Sequence, residues 1–141
     1  MQKLTIGEVI AYVDAIKPNT RTPEEKKLWL NDCDTMIKED IFNHYEGAYE
    51  INFNGYTEDT DESQELLVPA HYGRGLYAYY IMMQIDYINA ETNKYSMNAT
   101  MYQSAFDGFA IHWHNTHMPL QPNSINVIRE GNNYVNPLSN F

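Results

Sequence analysis

The chain has 141 residues, a formal net charge of −10, 43% hydrophobic and 20% charged residues, and one cysteine. That length supports one domain whose single core buries roughly two-thirds of the unfolded surface without disulfides or metals. Basic residues are few and scattered, and none lies between Lys38 and Arg74. A stripe of cations that displaces counterions from nucleic acid is therefore excluded, as is adhesion to anionic membranes.

The first helix is expected over Thr5 to Ile16, with apolar residues at Ile6, Val9, Ile10, Val13 and Ile16. Thr5 and Glu8 form a capping box, and Lys17-Pro18-Asn19 ends the helix. Thr22-Pro23-Glu24-Glu25 opens a second helix: a threonine cap, proline at the first helical position, and acids at the positive end of the dipole. Its stripe runs Trp29, Leu30, Cys33, Ile37, Ile41 and Tyr45. Cys33 sits inside that stripe as a small buried hydrophobe.

Between Glu46 and Glu65 the chain carries seven acids and no base. Tyr49, Ile51 and Phe53 alternate with polar residues, which suggests a short strand or extended arm. The segment reads either as a solvated loop or as an arm that pairs with a neighbouring subunit or a partner. The acids Glu58, Asp59, Asp61, Glu62 and Glu65 would then face solvent, a lumen or a subunit contact. They lack the residue order of a calcium loop, so no metal site is expected there.

Leu66-Leu67-Val68-Pro69-Ala70 leads into a third helix, roughly Ala70 to Glu91. Leu76, Tyr77, Tyr80, Ile81, Gln84, Ile85 and Ile88 lie near one face, and Tyr79, Met82 and Met83 lie elsewhere around it. A helix apolar on more than one side is buried on more than one side. A fourth helix begins at Thr92 or Asn93, with the stripe Tyr95, Ala99, Tyr102, Phe106, Phe109 and Trp113, and stops at Pro119. The alternating four-three spacing predicts shallow-angle, antiparallel packing on the third helix.

His112, His114 and His117 lack a completing cysteine or acid on the same helix face. They read as surface or capping histidines, and no catalytic, cofactor-binding or metal residue is assigned. The tail from Leu120 to Phe141 is rich in asparagine, proline and serine, yet holds Ile125, Val127, Ile128, Tyr134, Val135, Leu138 and Phe141. It is read either as disordered or as a segment that extends against a partner in an assembly. No apolar run is long enough for a signal peptide or a membrane span, so the protein is expected to be made in a cytoplasm. The fold expectation is a mostly α bundle of about four helices (residues 1–119) with a long helical hairpin, an acidic arm over 46–65, and an extended tail (120–141).

Several short words resemble the head-tail adaptor, or connector, proteins of tailed bacteriophages. They are Met1-Gln2-Lys3-Leu4-Thr5-Ile6-Gly7-Glu8-Val9-Ile10 with Lys17-Pro18-Asn19, Glu24-Glu25-Lys26-Lys27-Leu28-Trp29-Leu30, and Glu65-Leu66-Leu67-Val68-Pro69-Ala70. The stretches Tyr77 to Asn89 and Tyr95 to Pro119 complete a likeness over residues 1–119. The resemblance implies a structural virion subunit in the neck, made in the host bacterial cytoplasm. It would form a homo-oligomeric ring, expected at twelve subunits, beneath the portal protein. That ring extends the DNA channel without specific DNA binding and docks the next head-completion or tail protein. The tail residues named above would reach the portal. The alternative from another class is a small acidic helical binding or regulatory protein, monomeric or dimeric. An enzyme or metal protein built on the histidines is a remote third.

Overall fold

The computed structural model describes residues 2–120. Four helices pack as a small bundle: α1 (Ile6–Ile16), α2 (Pro23–Asp40), α3 (Ala70–Ile88) and α4 (Thr92–Thr116). Two single 3-10 turns, Phe42–His44 and Ala48–Glu50, follow α2. Among the described residues there is no sheet. Isolated antiparallel bridges join Thr5 to Glu65 and Tyr45 to Pro119.

The helix starts follow from local chemistry. Thr5 and Glu8 cap α1 reciprocally, and Thr22 and Glu25 do the same for α2, with Pro23 at the first helical position. Each box satisfies backbone N–H groups that have no partner inside the helix. The α2 stripe ends earlier than the spacing suggests. Helical geometry stops at Asp40, so Ile41 and Phe42 enter the core from a turn rather than from a longer helix.

α3 is the central element and packs against α1, α2 and α4. Leu76, Tyr77, Ala78, Tyr80, Ile81 and Ile85 are buried around it. It ends at Ile88, three residues short of the expected end, and Ile88 itself is exposed. Ala90 adopts a left-handed conformation with φ 58°, which reverses the chain into α4 within three residues. α4 packs on α3 through Tyr102, Ala105, Phe106, Phe109, Ala110 and Trp113, and only Phe109 is wholly buried.

The expected strand in the acidic segment does not form. Tyr49 stands 88% exposed, and Ile51 and Phe53 pack singly against the core. The backbone instead serves α1. Ile6 N–H donates to the Gln64 carbonyl at 3.0 Å and Gly7 N–H to the Glu62 carbonyl at 2.9 Å. Leu66 N–H donates to the Leu4 carbonyl at 2.8 Å. The first two bonds satisfy first-turn donors of α1 and the third ties Leu66 to the residue before its cap, so the arm pairs with its own chain's helix end rather than forming a ladder.

Candidate interaction surfaces

A buried polar network fixes the bundle. The Asp34 carboxylate lies on the inner face of α2 with no exposed surface. It accepts from the Tyr56 and Tyr77 hydroxyls and, at 3.1 Å, from the Leu67 N–H. The Tyr77 hydroxyl in turn accepts from Val68 N–H at 2.8 Å. Tyr56 N–H donates to Asn31 Oδ1 at 2.9 Å, which anchors the acidic segment to α2. Burial raises the Asp34 pKa to about 6, against the lowering by these three donors. Burial and Asp34 push both tyrosines well up, and burial does the same to the Cys33 thiol, which leaves that thiol unreactive.

Two charged pairs join the helices. Lys17 Nζ at the end of α1 lies 2.6 Å from Oδ1 of the buried Asp86 on α3, and Asn98 Nδ2 on α4 donates to Oδ2 at 2.6 Å. Lys26, itself buried, reaches Asp14 Oδ1 at 2.6 Å and the Arg21 carbonyl at 3.1 Å. These groups tie the helices to one another. Their signal in the sequence was positional: Asp34 falls on the Leu30–Ile37–Ile41 spacing of α2, where a solvated acid has no place.

The acids singled out in the sequence, Glu58, Asp59, Asp61, Glu62 and Glu65, are all exposed. Asp61 accepts from Ser63 N–H at 2.7 Å, and that bond lowers its pKa. The remaining four present their carboxylates without a common centre. The three α4 histidines go to different partners. His112 stacks on Tyr72 with ring centroids 4.6 Å apart, His114 Nδ1 lies 3.0 Å from the Tyr45 hydroxyl, and His117 stacks on Trp113 at 3.6 Å. Among the described residues no group of three or more His, Cys, Asp or Glu has metal-site geometry, and no helix is long and apolar enough to cross a membrane.

The described residues end beside this aromatic cluster. Glu46 N–H donates to the Met118 carbonyl at 2.8 Å and Leu120 N–H to the His44 carbonyl at 2.9 Å. Met118 and Leu120, at the end of the described residues, are thereby held to the turn after α2. The tail residues Ile125, Val127, Ile128, Tyr134, Val135, Leu138 and Phe141 lie outside the described residues.

The second surface is the outer side of α4, which the sequence reading passed over in favour of the inner stripe. Met97, Met101, Ser104, Gly108, Ile111 and Asn115 repeat the four-three spacing on the side turned away from α3. Met97 is 65%, Met101 42% and Ile111 62% exposed. No family model, curated protein or solved structure matches this chain.

Proposed function

We propose that this chain is a structural head-tail connector subunit of a phage virion, assembling as a ring under the portal protein and passing DNA without binding it specifically. A ring subunit needs an apolar surface for its neighbours and a separate surface that repels the DNA in its channel. The observation that carries the reading is the division of this molecule's exterior into those two kinds. α4 contributes an outer side with few charges that carries the exposed Met97, Met101 and Ile111, and the 46–65 segment contributes seven acids with no base. The three sequence words that resemble the connector family also fall on joints of this fold. They lie at the capped starts of α1 and α2 and at the buried entry to α3. In this reading the tail residues 120–141 dock on the portal and the acids Glu58 to Glu65 line the channel. The next head-completion or tail protein seats on the opposite side of the ring. No catalytic role is assigned.

The test is capture of the chain by the portal protein of the same genome, viewed by negative-stain electron microscopy. The expected result is a ring stacked on the narrow end of the portal. A folded chain that leaves both isolated portals and DNA-filled capsids bare would overturn the reading. It would favour the small binding protein instead.

A further inference from the structure

We propose that residues 56–65 form a strap over the start of α1 that opens and closes as one unit, with the Asp34 carboxylate as its clasp. From Thr57 to Glu65 the chain has no apolar side chain, and every residue except Thr60 is exposed. The nearest apolar anchors, Tyr56 and Leu66, stand at its two ends and are buried. A segment with so little hydrophobic hold on the bundle belongs to the low-stability end of a structure. Its acids, Glu58, Asp59, Asp61, Glu62 and Glu65, repel one another with no base among them.

A short set of polar contacts keeps the strap closed. The Gln64 and Glu62 carbonyls accept from the Ile6 and Gly7 N–H groups. A Cβ added at Gly7 would lie 3.1 Å from Glu62 Cβ, so strap and helix touch there with no room for a side chain. At the neck, Asp34 Oδ2 accepts both from the Tyr56 hydroxyl at one end of the strap and from the Leu67 N–H just past the other. One buried oxygen thus ties the two ends of the loop together.

The strap also holds its own shape. Thr60 N–H donates to the Thr57 carbonyl at 3.1 Å, and Gln64 N–H to the Asp61 carbonyl at 3.0 Å. Thr57 N–H donates to Thr60 Oγ1 at 2.7 Å. These bonds need nothing from the bundle, so the turns persist when the strap leaves it. Gly55, with φ 86°, is a left-handed joint immediately before it.

Asp34 sets the direction of the response. It faces Tyr56 from the strap, Tyr77 from α3, Cys33 beside it on α2 and Lys3 from the segment before α1. Burial pushes Tyr56, Tyr77 and Cys33 upward, so of this set only Asp34 changes charge between about pH 5 and 7. When the strap opens, Tyr56 leaves and water reaches the carboxylate, which returns toward its ordinary acidity. The closed-state pKa of about 6 lies above that value. Closure is therefore firmest below about pH 4 and weakens as pH rises through about 6. The opening takes place in the isolated chain, so it stands or falls separately from portal capture.

The experiment is hydrogen exchange of the full chain, followed amide by amide by NMR from about pH 5 to 7 and corrected for intrinsic exchange rates. The expected result is one shared protection factor for the Ile6, Gly7 and Tyr56 amides, at least about tenfold below that of Ile81 and Ile85 in α3. It should fall about tenfold across this pH range, and Asp34→Asn, which has no charge to bury, should abolish the fall. Tyr56→Phe keeps the ring and removes one clasp bond, and should lower the shared factor about tenfold at about pH 7. Unequal factors for Ile6, Gly7 and Tyr56, or a factor equal to that of α3, would overturn the proposal. So would a fall that survives Asp34→Asn, or unchanged protection in Tyr56→Phe.

Discussion

Asp34 is a carboxyl held where water cannot reach it, and its environment contains opposing influences. Burial favours the neutral acid, while the hydroxyls of Tyr56 and Tyr77 and the Leu67 N–H favour the carboxylate. Burial wins, and the pKa rises from 3.8 to about 6. The folded-state pKa therefore lies above the unfolded one. The stability this contributes is fully present below about pH 4 and is lost as pH rises through about 6. A rise of that size corresponds to roughly 3 kcal/mol. Asp34→Asn mimics the neutral acid, so its stability in urea should lose this fall between about pH 4 and 6 relative to wild type. Parallel pH curves for the two proteins would show that Asp34 titrates as it does in the unfolded chain.

At the scale of the element, α3 begins only because Gly73 lets it. The Cβ of an alanine there would sit 2.8 Å from the Val68 carbonyl oxygen and 3.0 Å from the Tyr77 ring. The first contact is with backbone and cannot be relieved by a rotamer change. Gly73→Ala should gain helix propensity and still destabilise the protein by about 1–3 kcal/mol, measured by chemical denaturation, because the clash pulls Tyr77 from Val68 and Asp34. Gly108→Ala on α4 has the opposite sign, since no described atom would lie within 4 Å of the added Cβ. The same substitution at two helix positions thus separates a glycine packed against backbone from one with no described neighbour.

At the scale of the whole molecule, the buried residues of all four helices form one cluster within residues 4–109. The last described contacts are the backbone bonds of Met118 and Leu120 to the turn after α2. A chain ending at Leu120 should therefore keep its helical circular dichroism and lie within a few degrees of the full-length Tm. In the connector reading it should lose portal capture. Portal capture undiminished by the truncation would assign docking to the bundle instead of to residues 121–141.

The elements were legible in the sequence where chemistry is local. Threonine caps with a glutamate three residues on, prolines at helix boundaries and the four-three stripe of α4 place all four helices within a few residues. Such signals act within one or two turns of chain, so they can be read without knowing the distant partners. What tertiary structure decided is what depends on partners far apart. Asp34, Tyr56 and Tyr77 lie up to 43 residues from one another, and only the packed bundle brings them together. The alternation of Tyr49, Ile51 and Phe53 looked like a strand. Among the described residues no second strand lies beside it, and further along the segment the Glu62 and Gln64 carbonyls accept from the unsatisfied N–H groups of α1. The outer stripe of α4 is written in the sequence as plainly as the inner one. That it faces away from the core was decided by α3, which can bury only one side of its neighbour; no other described element covers the outer side.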